Sequence, residues 1–421
     1  MAKKLLIIYP HRPPCNLAGV HRPRLLANYF PEFGFEVLWL SVNPTFYEEK
    51  PDFDFEKTLA KHVRLFDCNA FKITKPRIVG DIGLRGFWLM YKKALTIIRN
   101  EKPDFLFIPI PSFYTALLGR ILHEKTGILY GIDYIDPWVR DISNRNNLRA
   151  KLSLGIAKLL EPIAVKKASL ISGVSELYYK PVLERNFKNK PIEHVACPYG
   201  FDINDYNITP ANISFPWKNE SIKPIVYAGA FLPNSGYFAG LLFEAYANLC
   251  KAKPEYKAFK FYFIGTGNYI HKSVTEYAAE AGISENVVEI RERFPYLHIL
   301  SFLSNSSRLL LLGSTEKHYT ASKTFQAVLS KVPIFSMFHT ESSAFEILQK
   351  IKAGQFLISY NEETQRSSIL NEIETKLELF FHENINWKPD YEALAPYSSR
   401  NSASLIAHKI EQIIEQNNKS L

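Results

Sequence analysis

The stretch Arg308-Leu-Leu-Leu-Leu-Gly313, followed by His318-Tyr-Thr-Ala-Ser-Lys-Thr-Phe-Gln-Ala-Val-Leu329, decides the fold class because a strand, a loop and a helix follow one another in it. Ser322 is suited to cap the helix, and Lys323 lies in the first turn, where the helix dipole favours an anion. Aspartate or glutamate is the usual charge there, so a lysine favours a negatively charged ligand. The stretch predicts a phosphate-type anion site, with a solvent-exposed lysine beside an ordinary cap as the alternative.

The rest of the chain repeats this alternation of short apolar runs and longer helical patterns, which is typical of parallel sheets built from βαβ units. Its 421 residues exceed the about 250–300 residues at which one hydrophobic core stops growing. The predicted fold class is α/β, with two facing doubly wound, Rossmann-like domains and a ligand cleft at the carboxyl ends of their strands. We place the domains at 1–203 and 204–395, and expect a final helix at 396–421 to pack back across the junction.

Apolar runs locate the individual elements. Strands are predicted at 5–9, 36–41, 63–67, 105–109, 129–133, 170–173 and 194–196, and then at 225–228, 259–264, 287–291, 309–312, 334–338 and 356–359. Helical patterns include 24–31, 87–99, 115–124, 152–167 and 402–415.

Composition excludes several classes of protein. With 47% hydrophobic and 22% charged residues, the chain is not extensively disordered. The four cysteines fit no metal-binding spacing, and the first apolar run ends at Pro10, too early for a signal peptide. No HExxH, Walker, EF-hand or G-x-S-x-G pattern occurs, so neither a metal nor a cofactor is expected. We expect a cytoplasmic protein, with peripheral binding to the inner face of the cell membrane as a variant.

Positive charge is concentrated in the first half of the chain. Residues 1–200 contain 30 Lys and Arg against 19 Asp and Glu, a balance of +11, whereas residues 201–421 contain 21 against 23, a balance of −2. Within residues 72–102, basic side chains alternate with apolar ones such as Phe87, Trp88 and Met90. This segment predicts an anionic membrane surface as partner, with a solvated core helix as the alternative; no nucleic-acid partner is expected.

The first βα connection, from Pro10 to Arg24, is a candidate ligand loop. Gly19 permits close approach of the backbone to a ligand, and His21 and Arg22 supply hydrogen-bond donors beside a helix N-terminus. The loop lacks a G-x-G-x-x-G fingerprint, which disfavours a dinucleotide site. The alternative is that Gly19 only serves a turn.

Two aspartates end the fifth predicted strand, in Asp133-Tyr-Ile-Asp-Pro-Trp138. Alternation along an extended chain puts Asp133 and Asp136 on opposite faces, so they do not act as a pair. Asp136, on the loop before a proline, is the predicted catalytic or sugar-binding residue, with a helix or turn cap as the alternative.

Glycines follow two strands of the second domain. Gly229, Gly265 and Gly267 are expected to free backbone N–H groups to face a diphosphate or a base. Each exit is a weak signal alone, but with the Ser322-Lys323 helix they converge on one edge of one sheet.

Seven motifs then follow one another in a familiar order: Pro13-Pro14 with Gly19 and Arg22, Pro31-Glu-Phe-Gly-Phe-Glu-Val37, Asp133 to Trp138, Gly173-Val-Ser-Glu176, Pro198-Tyr-Gly-Phe-Asp202, Tyr227-Ala-Gly229 and Ser322-Lys323. In this order and spacing the chain resembles the GT-B glycosyltransferases, especially the family-four retaining enzymes of bacterial surface-polysaccharide synthesis. The resemblance covers nearly the whole chain.

The resemblance implies a nucleotide-sugar donor on the C-terminal domain and a glycan or lipid-linked acceptor on the N-terminal one. Gly229, Ser322 and Lys323 would contact the donor diphosphate. The segment from Arg291 to Phe294 would line the nucleobase, with Gly265 at the same edge. Asp136, which would meet the donor sugar, and His318 are the candidate catalytic residues, and the main chemical task is to stabilise the leaving diphosphate.

The chain also departs from that pattern. Two glutamates with the spacing E-x7-E are common in the family, whereas His318 and Gln326 stand here. Gln326 can still hydrogen-bond a ribose hydroxyl, without charge. Three hypotheses follow: an active glycosyltransferase, a sugar-nucleotide epimerase or hydrolase on the same fold, and a binding or scaffold protein without transferase activity.

Overall fold

The structure is a computed structural model that describes residues 2–74, 79–140, 148–188, 191–217, 221–314 and 322–420. The chain divides into two compact units. The first unit comprises Met1–Asp202 and Pro396–Leu421, and the second comprises Ile203–Ala395. Each of them is an α/β unit built on one parallel sheet.

The first unit contains a seven-stranded sheet in the order β3-β2-β1-β4-β5-β6-β7, counted over its described residues. Every strand runs parallel to its neighbours. Its elements are β1 (Lys3–Ile8), α1 (Ala18–Tyr29), β2 (Phe35–Val42), α2 (Phe53–Glu56), β3 (Arg64–Cys68), α3 (Ile82–Glu101), β4 (Phe105–Ile110), α4 (Ala116–Thr126), β5 (Leu129–Tyr134), α5 (Leu148–Val165), β6 (Leu170–Gly173), α6 (Glu176–Asn186) and β7 (Glu193–Ala196).

The second unit contains a six-stranded parallel sheet in the order β10-β9-β8-β11-β12-β13, again over its described residues. Its elements are β8 (Lys223–Ala228), α7 (Gly236–Ala252), β9 (Phe259–Ile264), α8 (Val274–Glu280), β10 (Val287–Ile290), α9 (Tyr296–Ser304), β11 (Arg308–Leu312), α10 (Ser322–Leu329), β12 (Ile334–His339), α11 (Ser343–Lys350), β13 (Phe356–Tyr360) and α12 (Arg366–Phe380). The doubly wound α/β prediction is therefore confirmed for each unit.

Burial explains why the strands were predictable. Strand β4 is buried over its whole length, and β1 is buried from Leu5 to Ile8. Parallel strands covered by helices on both faces form near-continuous apolar runs rather than alternating ones. All the predicted strands are present, and their ends differ from the predicted ones by at most two residues.

Helix α1 differs from its prediction. It begins at Ala18, six residues before the predicted start, and Pro23 lies inside it. Because a proline lacks an N–H, it removes one backbone hydrogen bond, and the helix continues past it. His21 and Arg22, predicted to lie in a loop, are therefore helical residues.

The last helix, α13 (Ser399–Ser420), returns to the first unit and contacts α1 and β7. Lys409 Nζ lies 2.7 Å from Glu193, and the Ser399 hydroxyl donates to the Phe201 carbonyl at 2.6 Å. Among the described residues, every helix is too short or too polar to cross a bilayer.

Candidate functional site

The two sheets share one topological feature that positions ligands. In the first sheet the strand order runs outward from β1 through β2 to β3 on one side and from β4 onward on the other, and in the second sheet β8 and β11 are the corresponding pair. The β1–β4 and β8–β11 pairs are therefore the topological switch points of the two sheets. Ligands of doubly wound sheets bind in the crevice beyond the carboxyl ends of the strands at such a switch point. The residues at these two switch points are therefore candidate ligand contacts.

At the second switch point, Gly229 and Lys323 lie against each other. Gly229 follows β8 with φ of +128°, and a Cβ built on it would overlap the Nζ and Cε atoms of Lys323. Lys323 is the second residue of α10, which follows β11. Only a glycine lets the lysine side chain lie across this turn. Two residues predicted separately, 94 positions apart in sequence, are thus in contact.

Lys323 is a partly buried cation. Its Nζ lies 3.5 Å from the Ala230 carbonyl oxygen and 5.4 Å from the centre of the Tyr227 ring. No described carboxylate lies within ion-pairing distance of it. Burial lowers the pKa of Lys323 to about 8. An anionic ligand at this place would offset the lost hydration of the cation.

Helix α10 carries the neighbouring predicted residues. It begins at Ser322, whose side chain lies outside what the structure describes, so the capping prediction stays a prediction. His318 lies outside the described residues. Gln326 follows Lys323 by three positions and therefore shares its helix face. The Gln326 carbonyl oxygen accepts a hydrogen bond from the Tyr206 hydroxyl.

The glycine N–H groups are not free, which corrects one expectation. Gly229 N–H donates to the Ile264 carbonyl and Gly265 N–H to the Ile290 carbonyl, both at 2.7 Å, and Gly267 N–H donates to the Arg291 backbone carbonyl at 3.1 Å. The turns lie so close to the neighbouring strand ends that their donors complete the sheet edge. At Gly265 and Gly267, positive φ angles of +72° and +81° remain the reason for glycine.

Glu289 is a buried carboxylate at this edge that sequence reasoning missed. Its Oε1 accepts hydrogen bonds from the Thr266 hydroxyl at 2.7 Å and the Tyr269 hydroxyl at 2.5 Å. Arg291 Nε lies 3.7 Å from the same oxygen, and its guanidinium carbon lies 4.7 Å from the centre of the Tyr269 ring. The one available signal was a glutamate inside the apolar run of β10. Glu289 therefore orients the exposed Arg291, a predicted nucleoside contact.

Phe294, the other predicted base contact, is half-buried. Its ring packs edge-on against Phe302 with centres 5.2 Å apart. Its stacking on a nucleobase stays a prediction.

At the first switch point, Gly19 lies against the end of β1. It is the second residue of α1, and a Cβ on it would overlap the Tyr9 hydroxyl and lie 3.2 Å from Pro111. Burial is the main cause that raises the pKa of Tyr9 well above its ordinary value, and the charges of Asp81 and Asp136 add to it. The small residue is thus required by the tyrosine and proline beneath it.

Arg22 does not face a ligand, so this part of the prediction is wrong. The side chain is fully buried, with Nε and Nη2 at 2.6 and 3.1 Å from the two carboxylate oxygens of Asp133. Its Nη1 donates to the Pro198 carbonyl at 2.6 Å, and the Ser172 hydroxyl donates to Asp133 at 2.7 Å. Arg22 therefore links α1 to Asp133 of β5 and to the segment at Pro198. His21 Nε2 lies 2.7 Å from the Asn16 side-chain oxygen.

Asp136 lies on the loop two residues after the end of β5, whereas Asp133 is buried within the strand. Its side chain is half-exposed, and its Oδ2 lies 3.3 Å from Arg140. Partial burial raises the pKa of Asp136, and Arg140 opposes this shift. Asp136 is therefore a carboxylate that a sugar or hydroxyl ligand can reach.

The predicted membrane segment is only partly surface. Phe87 and Met90 of α3 are buried in the core, whereas Phe71 and Trp88 are exposed. Arg85, counted among its cations, is buried and donates to the Phe71 carbonyl at 2.9 Å. Residues 75–78 lie outside the described chain. Much of the alternating pattern thus belongs to a core helix.

Two groups of potential metal ligands exist in the described chain. His11, Cys15 and Glu49 form one, and His339, Glu341 and Glu362 form the other, with ligand atoms within 4.8 Å of one another in each. His11 Nε2 lies 3.7 Å from Glu49, and burial lowers the pKa of His11 below its ordinary value. The expectation of no metal stays a prediction.

Comparison with solved structures supports the architecture. Sucrose-phosphate synthase from Thermosynechococcus elongatus matches with a TM-score of 0.56 and 11% identity, over 99% of this chain and 98% of that one. Anabaena Alr3699/HepE in complex with UDP matches at 0.51 and 14%, over 99% of both chains. WaaG, a glycosyltransferase involved in lipopolysaccharide biosynthesis, matches at 0.51 and 10%, over 98% of both.

UDP-GlcNAc 2-epimerases, one of them from Methanocaldococcus jannaschii, match in the same way. No family model matches the sequence, and neither does any curated protein. At these identities the likeness concerns the fold alone: the chain has the two-domain α/β fold of the GT-B glycosyltransferases, over nearly its whole length.

Proposed function

We propose that this protein is a glycosyltransferase that moves a sugar from a nucleotide-sugar donor to a polysaccharide- or lipid-linked acceptor in cell-surface glycan synthesis. The observation that carries the proposal is the contact of Lys323 with Gly229 at the second switch point. The site combines a cation, a helix start and a close backbone turn, and these together suit a diphosphate. That HepE was solved with UDP and that WaaG is a glycosyltransferase supports this choice among functions on the fold.

The chemistry asks for charge stabilisation at the leaving group. Transfer breaks the bond between the anomeric carbon and a diphosphate oxygen and forms one to an acceptor oxygen, whose proton passes to the departing diphosphate. Negative charge then grows on the diphosphate, where Lys323 and the start of α10 stabilise it. We assign Ser322 to the same phosphates, Arg291, Phe294, Gln326 and the Gly265 turn to the nucleoside, and His318 and Asp136 to the reacting sugar. No metal or cofactor takes part in this proposal.

We assign acceptor binding to the first unit. Asp136 and the loop that leads to Gly19 and His21 lie at the carboxyl ends of its strands, where a hydroxyl-bearing acceptor would bind. A glycan or lipid-linked acceptor of this kind would place the protein in the cytoplasm, at the inner face of the membrane.

Nucleotide binding tests the donor site. Thermal unfolding is measured with UDP, GDP, dTDP and CMP and with their sugars; a nucleotide at 100 times its dissociation constant stabilises by about 2.7 kcal/mol. We expect one nucleotide to shift the transition, and Lys323→Ala to abolish the shift. Lys331→Ala, an exposed lysine just after α10, is the matched control and should keep it. If no nucleotide shifts the transition, the donor site is wrong and the scaffold hypothesis is favoured.

A second candidate is a sugar-nucleotide epimerase, which the matching epimerase structures favour. The two activities differ in their products. With a nucleotide sugar and no acceptor, an epimerase produces an isomeric nucleotide sugar that NMR resolves, whereas a glycosyltransferase leaves the donor sugar unchanged or slowly hydrolysed. An isomeric product would replace the transferase proposal.

A further inference from the structure

Helix α5 exposes a continuous apolar stripe. Leu148, Leu152, Leu159 and Ile163 are 84, 64, 66 and 47% exposed. With 3.6 residues per turn, these four positions fall within an arc of about 60°. The opposite face, with Ala157, Ala164 and Val165, packs in the core of the first unit. The helix therefore has one apolar face inside and a second one outside.

The apolar stripe on the outer face of α5 is larger than is usual for the surface of a folded protein. Single exposed apolar side chains are normal on a protein surface, whereas a contiguous stripe of four large ones marks an interaction site. Folding of the unit does not require the stripe, because the inner face already anchors α5 to the sheet.

The exposed charged side chains described on α5 and just after its end are all lysines. Lys151 and Lys158 are exposed on one flank of α5, and Lys166 and Lys167 follow the helix end and are exposed too. No described carboxylate lies within ion-pairing distance of these four lysines. The only acid within α5, Glu161, is buried and lies 2.7 Å from Arg185. Negative charge is thus withdrawn from the outer surface of this helix.

We propose that the outer face of α5 docks on an anionic lipid bilayer. The apolar stripe would lie at the boundary of headgroups and acyl chains, and the lysines would meet the headgroup phosphates, as amphipathic helices lie in a membrane interface. This places the membrane contact on α5 instead of residues 72–102. It concerns a surface separate from the donor site, and holds whether or not Lys323 binds a nucleotide.

A protein partner fits the surface less well. The cores of protein interfaces are enriched in aromatic residues and depleted in lysine, whereas this stripe is wholly aliphatic and lysine-flanked. A symmetric dimer through the same face would bring the lysines of two copies together, which is unfavourable. An anionic bilayer satisfies both the apolar stripe and the flanking charges.

The test is co-sedimentation of the full chain with vesicles of phosphatidylcholine alone or mixed with phosphatidylglycerol, at low and high salt. We expect binding to the anionic vesicles only, weakened by salt. Leu152→Ser with Leu159→Ser should reduce the binding constant about tenfold or more, because each substitution removes the favourable free energy of moving a leucine side chain from water into the membrane interface. Leu379→Ser with Leu405→Ser, at exposed leucines away from α5, is the matched control and should bind as the wild type does.

Charge is tested separately by Lys151→Glu with Lys158→Glu, against Lys251→Glu with Lys331→Glu as exposed controls. Only the first pair should remove the preference for anionic vesicles. Circular dichroism and thermal melting verify that each variant is folded. Equal binding by the α5 variants and their controls, or no binding by the wild type, overturns the proposal. A wild-type dimer in sedimentation without lipid, lost in the leucine pair, would assign the surface to a second copy instead.

Discussion

The two switch points share one backbone plan and differ in the charges that they carry. Strand orders β3-β2-β1-β4 and β10-β9-β8-β11 are equivalent, and in each unit a glycine contacts a larger side chain at the crevice. In the first unit, Gly19 lies against the Tyr9 hydroxyl, and the negative charges of Asp81 and Asp136 help to raise the pKa of that tyrosine. In the second unit, Gly229 lies against the Lys323 ammonium.

The charge at each crevice decides whether an anion can bind there. A doubly wound sheet offers the crevice, and the fold by itself does not choose the ligand. In the first unit Arg22 is neutralised by Asp133, whereas in the second unit no described carboxylate is within ion-pairing distance of Lys323. The positive charge of Arg22 is therefore structural, whereas that of Lys323 is available to a ligand.

The largest expected effect comes from breaking the structural charge. Asp133→Ala leaves the buried Arg22 without its carboxylate, which destabilises a protein by about 3–5 kcal/mol. Urea unfolding measures this loss, and nucleotide affinity of the folded protein should stay unchanged. Asp136→Ala, at the half-exposed carboxylate three residues on, is the matched control and should unfold within about 0.5 kcal/mol of wild type. A selective loss of nucleotide affinity in Asp133→Ala would mean that the first unit does hold the anion.

A smaller effect is expected at the glycine of the second switch point. Gly229→Ala adds a Cβ that overlaps Lys323, at a φ of +128° that only glycine adopts readily, so we expect about 1–3 kcal/mol of destabilisation together with weaker nucleotide binding. Scanning calorimetry measures the stability, and titration calorimetry measures the nucleotide affinity. Gly240→Ala, inside α7 where a Cβ would meet Tyr277 at an ordinary 3.6 Å, is the control and should be neutral or slightly stabilising.

A double variant separates the two causes at Gly229. In Gly229→Ala with Lys323→Ala the overlap is gone and the backbone strain remains. Partial recovery of stability is therefore expected, without recovery of nucleotide binding. Full recovery of binding would show that the Lys323 side chain contributes nothing to nucleotide binding. The two switch points would then not differ in their ability to bind an anion.

The fold and part of the site could be read from local sequence. Buried parallel strands are contiguous apolar runs, so a residue such as Phe107 marks its strand without knowledge of its neighbours. Lys323 stood out because a cation in a first helical turn is unusual, and the turn after β8 because of its glycine. Each of these signals lies within a few residues of the feature that it predicts.

What could not be predicted depends on residues that are far apart in the chain. Arg22 was assigned to a ligand because its partner Asp133 lies 111 positions away, and only the folded sheet brings the two together. The N–H groups of Gly265 and Gly267 were expected to be free because the acceptors belong to a strand end on another element. The start of α1 was missed because packing of the helix against α13 and β4 outweighs the local effect of Pro23.

The smallest expected effect is a pH dependence of donor binding. Because burial lowers the pKa of Lys323 to about 8, the ammonium is lost from the free protein above that pH, and affinity for a diphosphate should then fall by up to about tenfold per pH unit. Below pH 7, affinity should be flat from this cause. Lys323→Arg keeps its charge at all these pH values, so its affinity should not fall between pH 8 and pH 10, and titration calorimetry with the bound nucleotide compares the two proteins.

The same shift has the opposite sign in the stability of the unliganded protein. Unfolded Lys323 titrates near 10.5 and the folded residue near 8, so between these values the unfolded state holds more protons and stability rises with pH. Stability from this source is complete above 10.5 and is lost as the pH falls through 8. Denaturant unfolding of the wild type against Lys323→Ala should show this rise only in the wild type. If both proteins respond equally, Lys323 is an ordinary hydrated lysine, and the second switch point carries no more available charge than the first.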